Sequence, residues 1–158
     1  MAIKLSILVF VASPLDYARY RHTALYIEYD DPENAQTQST DQSAASIKSS
    51  LSEVVGSTGF YSYSERLNWA IPVSSANVAR IVPVSTFDAA PATVRETIAS
   101  IPIPEDGSWG DDWNSQDWVA DVLGKFVKMG VLDGGVRERA VDGMVSAVCE
   151  AGDEEVLA

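Results

Sequence analysis

The residues best suited to covalent chemistry are a serine and a histidine that lie far apart in the chain. Ser115 begins a predicted amphipathic helix, within the segment NSQDWV at residues 114–119. The unpaired N–H groups of a first helical turn carry the positive end of the helix dipole, so they stabilise an anion on a nucleophile placed there. They can also hold a developing oxyanion. Position 115 is therefore a candidate nucleophile for acyl transfer.

His22 is the single histidine of the chain and lies in a strand-like stretch. Its imidazole could take the proton of the nucleophile and return it to a leaving group. Both residues also have an ordinary structural explanation. A serine at a helix start is usually a cap, here shared with Asn114, and a strand histidine is often a hydrogen-bonded core or surface residue.

The two segments resemble the motifs of the permuted papain-like hydrolases, which include the NlpC-type, lecithin retinol acyltransferase, phospholipid acyltransferase and deSUMOylating isopeptidase (PPPDE-like) branches. In those proteins a His-Thr or His-Trp strand comes first, and an Asn-Cys helix start with the nucleophile follows. Here HTALYI at residues 22–27 resembles the first motif and NSQDWV the second, in the same order. The resemblance implies a circularly permuted papain-like fold, an acyl-enzyme at residue 115, His22 as base and acid, and no cofactor. The order of the two motifs also predicts that His22 and Ser115 face one another across a cleft, within about 4 Å.

The same resemblance points to Glu53 as the residue that orients the histidine. In the acyltransferase branch this residue lies on the strand after the histidine strand, and Glu53 is the best-matched position here. Its carboxylate could accept a bond from the imidazole Nδ1–H and fix the tautomer. The isopeptidase branch uses only a dyad, and Glu53 could equally be a solvent-facing strand residue.

The serine is the main departure from that family, whose nucleophile is a cysteine. Three explanations are open: deliberate replacement of a catalytic cysteine, a natural serine variant, or a degenerate site that only binds. Serine lacks the low pKa of an activated thiol, so a simple exchange removes most of the rate. The Asn, Gln and Trp that surround Ser115 favour the first explanation.

Residues next to the two motifs are candidates for substrate binding. Tyr20 and Arg21 could bind a substrate carboxylate or supply an oxyanion donor, and the tryptophans before the helix could line a cleft or simply pack the helix start. The candidate set is Tyr20, Arg21, Trp109, Trp113, Asn114 and Gln116.

Composition limits the remaining possibilities. The chain has 158 residues with 11 basic and 23 acidic side chains, a formal charge of -12. This acidity argues against nucleic acid and anionic membrane surfaces as partners, and the apolar residues 5–12 are too few to span a bilayer. The lone Cys149 excludes an internal disulfide, fits a reducing, cytoplasmic compartment, and is expected to be buried. One histidine and one cysteine make a zinc site unfavourable.

The order of predicted elements is strands first and helices later. Strands are expected over residues 3–11, 22–29, 51–55, 60–66 and 78–84. Alternation in the second strand places His22, Ala24 and Tyr26 on one face and Thr23, Leu25 and Ile27 on the other. Helices are expected over 90–99, 115–129 and 136–149, with Asp88 and Asp133 as caps. Residues 30–50 are polar and predict a mobile insertion. The prediction is one α+β domain over residues 1–151, an antiparallel sheet packed against helices, with a frayed tail at 152–158.

The functional expectation is a thiol-type hydrolase or acyltransferase that acts on an amide, ester or thioester of a small molecule or peptide. The alternative is a noncatalytic binding or interaction domain with the same fold. An open cleft with His22 Nε2 near residue 115 Oγ would favour the enzyme. A filled cleft, or a separation well beyond hydrogen-bond reach, would favour the binding domain.

Overall fold

The computed structural model describes residues 2–13, 15–30, 47–57, 60–71, 77–104 and 113–152. Within these residues the chain forms an antiparallel sheet followed by helices, which confirms the predicted α+β class. The strands are β1 (Ala2–Phe10), β2 (His22–Asp30), β3 (Ser49–Val55), β4 (Ser62–Leu67) and β5 (Val78–Asp88). The helices are α1 (Pro91–Ala99), α2 (Ser115–Lys128) and α3 (Gly134–Cys149), and a short 3₁₀ turn spans Ala18–Tyr20.

The apolar strand β1 lies inside the sheet, whose order is β4-β3-β2-β1-β5. It pairs with β2 along its whole length, from Ala2↔Asp30 to Phe10↔His22. Its pairing with β5 has two irregularities, and Pro83 lies beside the first of them, opposite Ser6. Because proline cannot donate to a ladder, a bulge on an edge strand is a position that accepts it.

The two faces of the sheet bury different apolar residues, as strand alternation requires. One face packs against the helices, where Leu25 and Ile27 of β2 join the main core. The other face carries Ala24 and Tyr26 of β2 in a smaller cluster, against which Trp69 packs. The predicted alternation of β2 is therefore confirmed from Ala24 to Ile27.

Helix α2 forms the centre of the main core. Its buried side chains recur at three- and four-residue spacings, as expected for an amphipathic helix packed on one side. Gly130 follows its C-terminus with a φ of 79°, a left-handed conformation that glycine adopts without strain. The buried apolar residues are Trp118, Val119, Val122, Leu123 and Phe126.

Several predicted boundaries were wrong because strand pairing extends beyond the local sequence signals. Strand β5 continues to Asp88, which pairs with Ala2, so α1 is capped by Ala90 without a side-chain bond. Strand β3 begins at Ser49, so the proposed 30–50 insertion is too long at both ends, and residues 31–46 lie outside the described residues.

At the C-terminal end, Asp133 caps α3 as predicted, accepting a bond from the Gly135 N–H at 2.8 Å, but the helix already begins at Gly134. The prediction that Cys149 is buried was wrong. Ala147 and Val148 fill the core-facing side of the last turn, which leaves Cys149 exposed. Gly152, assigned to the frayed tail, accepts a bond from the Ala18 N–H, and residues 153–158 lie outside the described part.

No helix in the described part of the chain is long and apolar enough to cross a membrane.

Candidate active site

A cleft opens where strands β2 and β3 separate. Their pairing runs from Glu28↔Ser49 only as far as Leu25↔Ser52. Beyond that point β2 stays paired with β1, and β3 stays paired with β4. The cleft at this end of the sheet has a volume of about 710 Å³. Its wall is formed by both separated strands, the segment before β2 and the start of α2, so that His22, Glu53 and Ser115 all line it.

Glu53 forms the closest polar contact of His22. The carboxylate Oε2 lies 2.7 Å from the imidazole Nε2 across the gap between β2 and β3. Glu53 is only 6% exposed, so it is not a solvent-facing strand residue, and its other oxygen lies 3.9 Å from Arg66 Nη2. Phe10 stacks on the ring of His22 with the centroids 5.8 Å apart. The expected contact is therefore present, but the expected nitrogen, Nδ1, was wrong.

Ser115 occupies the first helical position of α2 because Asn114 is the cap. The Asn114 side-chain oxygen accepts a bond from the Gln116 N–H at 2.9 Å, and the Asp117 carboxylate accepts one from the Asn114 N–H at 2.9 Å. This reciprocal arrangement is a capping box, which satisfies two donors that the helix leaves unpaired. Ser115 therefore does not cap its own helix, and its hydroxyl remains available for other contacts.

The hydroxyl of Ser115 is bound by Thr23 rather than by His22. Both the backbone N–H and the hydroxyl of Thr23 donate to Ser115 Oγ, each at 3.1 Å. Within the described residues no hydrogen bond joins His22 to Ser115. The nitrogen expected near Ser115 Oγ, Nε2, is bonded to Glu53 instead, so that expectation was wrong. Strand alternation gives the reason, because Thr23 points toward the helices while His22 lies on the other side of the sheet with Phe10. His22 and Ser115 nevertheless line one cleft, because β2 and β3 are separated at this end of the sheet.

Tyr20 and Arg21, the two predicted substrate-binding residues that precede His22 in the chain, differ in how exposed and how tightly held their side chains are. Tyr20 lines the cleft with 48% of its surface exposed, and the Arg19 guanidinium lies 4.5 Å from the centre of its ring. Arg21 also lines the cleft, but Asp16 holds its guanidinium through two bonds of 2.8 and 2.6 Å, and a third bond reaches the Ala147 carbonyl at 2.7 Å. The bond from Arg21 lowers the pKa of Asp16 to about 2. Arg21 therefore ties the start of β2 to α3.

The aromatic side of the cleft is formed by Trp113 and Tyr61. Trp113 is buried before α2, and its ring meets Tyr61 edge to face at 5.3 Å. Burial, with a further contribution from Asp117, raises the pKa of Tyr61, so its phenol stays protonated near neutral pH. Asn114 lines the cleft as well, whereas Gln116 is not among the residues of its wall. Trp109 lies outside the described residues.

Among the residues that line the cleft or contact the candidate site, Thr23, Tyr61 and Arg66 were not predicted from the sequence. Strand alternation placed Thr23 on the face of β2 opposite His22. That face packs against the helices, including the helix that begins with Ser115, so alternation could have indicated a contact between Thr23 and Ser115. Tyr61 and Arg66 come from β4 and the turn before it, and their positions depend on the pairing of β3 with β4. Among the described residues, no group of three or more His, Cys, Asp or Glu side chains could hold a metal ion.

Fold and site together define an α+β protein with a buried helix-start serine and a carboxylate–histidine pair on one cleft. Residues 9–133, which include both His22 and Ser115, match the family described as "Family of unknown function (DUF6540)", and the chain belongs to this family. Comparison with curated proteins and with solved structures gave no match.

Proposed function

We propose that this protein has the site of a Cys-His type hydrolase or acyltransferase, in the permuted papain-like arrangement, with a serine at the nucleophile position. The observation that carries the proposal is that the His22–Glu53 pair lines the same open cleft as Ser115. A buried carboxylate can orient the imidazole, and a helix-start nucleophile can accept the acyl group, so both support acyl transfer.

The direction of the His22–Glu53 bond assigns the roles of the two ring nitrogens. Glu53 accepts from Nε2–H, so in the neutral imidazole Nδ1 carries the lone pair and acts as the base. Nδ1 takes the proton of residue 115 as its γ atom forms a bond to the carbonyl carbon of an amide, ester or thioester. The tetrahedral intermediate then collapses, and the leaving group departs with that proton.

Water or an acceptor nucleophile completes the reaction by releasing the acyl group from residue 115. Its proton passes to Nδ1 as it attacks, and the γ atom of residue 115 recovers a proton when the acyl bond breaks. These reaction steps require His22 to approach residue 115 when substrate is bound, since the two residues form no hydrogen bond in the free protein. Catalytic contacts that tighten only in the substrate complex are common.

A binding domain is the second candidate, and one contact favours it. Ser115 Oγ is already held by Thr23, so the serine has a structural partner without any reaction. The open cleft, with Tyr20, Tyr61 and Trp113 in its wall, could then hold an aromatic or apolar group without turnover.

Intact-mass detection of an acyl adduct distinguishes the two candidates. The Ser115→Cys variant is prepared in a Cys149→Ser background, because the exposed Cys149 would itself react. It is then treated with a panel of activated esters and thioesters. The enzyme proposal predicts a single adduct that maps to residue 115 and forms more slowly after His22→Ala.

The control is the Cys149→Ser protein that retains Ser115, which should react slowly or not at all. The absence of an adduct across the panel, or an adduct whose rate ignores His22→Ala, would contradict the enzyme proposal and favour the binding domain.

A further inference from the structure

We infer that Thr23 is a catalytic residue of this site that stabilises the anionic form of the nucleophile at position 115. This inference rests on the function proposed above. Thr23 follows His22 directly in β2, is fully buried, and directs two donors at the single γ atom of residue 115.

The opening between β2 and β3 frees the Thr23 N–H for this contact. Thr23 lies beyond the last β2–β3 pair, Leu25↔Ser52, so its N–H is donated to Ser115 Oγ and not to β3. Its hydroxyl points toward α2 on the same side and donates to the same oxygen. The separation of the strands therefore opens the cleft and also leaves a backbone donor for Ser115, which lines it.

Two donors at one buried atom favour the negative charge that the nucleophile carries when it attacks. Hydrogen bonds to an ionised acceptor are about twice as strong as those between neutral groups, and Ser115 is only 5% exposed, which limits competition from water. In the cysteine form, both bonds favour thiolate over thiol, in addition to the helix N-terminus. Thr23 thus contributes through the acidity of residue 115, and His22 through proton transfer.

A purely structural role predicts a different result. If Ser115 only satisfies the donors of Thr23, removal of the Thr23 hydroxyl would change stability and leave the acidity of residue 115 unchanged. The pKa of a cysteine at position 115 therefore separates the two explanations, and it can be measured without any substrate.

The test measures the iodoacetamide alkylation rate of residue 115 against pH in Ser115→Cys with Cys149→Ser. In this background Thr23→Val removes the hydroxyl and keeps the backbone N–H, while Thr23→Ser keeps both donors. Removing one bond to the anion should raise the thiol pKa by about one unit in Thr23→Val, whereas Thr23→Ser should titrate like the parent. Thermal unfolding of each variant checks that the fold is retained.

A Thr23→Val profile that matches the parent, in a folded protein, would overturn the inference. If Thr23→Val does not fold, Thr23→Ser and Thr23→Ala give the same comparison. The failure of the proposed function is recognised separately. In that case either no ester or thioester forms an adduct, or the adduct forms at a rate that does not change in His22→Ala, while the thiol pKa at position 115 still responds to Thr23.

Discussion

At the scale of single residues, the site consists of two hydrogen-bonded pairs that share a cleft. His22 is held by Glu53 on one side, and Ser115 is held by Thr23 on the other. The pairs are joined covalently, because His22 and Thr23 are neighbours in β2.

The charge of Glu53 should matter more than its shape. Glu53→Gln keeps an oxygen that can accept from His22 Nε2–H, but it loses the negative charge that stabilises an imidazolium. We expect the acylation rate of the Ser115→Cys form to fall by about 100-fold with the fold retained, within the range typical of general-base effects. The measurement is adduct formation followed by mass spectrometry with the most reactive ester of the panel.

Glu65→Gln is the matched control, since Glu65 lies on the neighbouring strand and its carboxylate pairs with Arg95 instead. An unchanged rate in Glu53→Gln would mean that His22 works alone or with another partner.

At the scale of elements, the position of His22 depends on how the start of β2 is anchored. Arg21 joins this point to the preceding loop through Asp16 and to α3 through the Ala147 carbonyl. Its guanidinium side chain is 8% exposed, whereas the Asp16 side chain is 33% exposed, so water screens one end of the pair. The contact is best viewed as a partly screened ion pair with good geometry.

The Asp16 contact should make stability depend on acid pH. The bond from Arg21 lowers the pKa of Asp16 from 3.8 to about 2 in the folded protein. The stabilisation that the ionised Asp16 gives the folded protein is therefore complete above pH 3.8, and it is lost as the pH falls through about 2. With a discount for screening, we expect Asp16→Asn to lower the free energy of unfolding by about 1 kcal/mol at pH 6.

Urea unfolding of Asp16→Asn and the unmodified protein at pH 6 and near pH 2 measures this effect. The difference between the two proteins should shrink at the lower pH, since Asp16 is then substantially protonated. A difference that stays constant with pH would show that the ion pair contributes nothing and that the substitution acts through packing.

At the scale of the whole molecule, one apolar core joins the sheet to all three helices. Val94 and Ile98 of α1, Trp118 of α2 and Met144 of α3 belong to the same buried cluster as the strand residues. Helices that share a core with the sheet cannot lose their packing independently of it. The second cluster, on the other face of the sheet, is built on the same strands.

The shared core predicts cooperative unfolding of a single domain. Far-UV circular dichroism reports mainly on the helices. Tryptophan fluorescence reports on all four tryptophans, among them Trp113 and Trp118 in the core and Trp69 on the other face. Their urea transitions should coincide. Transitions with separate midpoints would contradict the prediction that residues 1–151 form one domain.

The sequence by itself determined the class of fold and the candidate pair of reactive residues. Apolar periodicity is a local property, so it located five strands and three helices, and the alternation of β2 from Ala24 to Ile27 followed from the same pattern. Polar residues before an apolar helix placed Ser115 in the first turn. The resemblance of two segments to the motifs of a known family then identified His22 and Glu53 as candidate partners of Ser115.

Only the tertiary structure decided which groups are in contact, because strand register and separation depend on residues distant in the chain. Pairing with β1 extended β5 to Asp88, the residue that was expected to cap α1. The end of β2–β3 pairing at Leu25↔Ser52 opened the cleft. Across that gap Glu53 meets His22 through Nε2, and Thr23, on the helix-facing side of the same strand, meets Ser115.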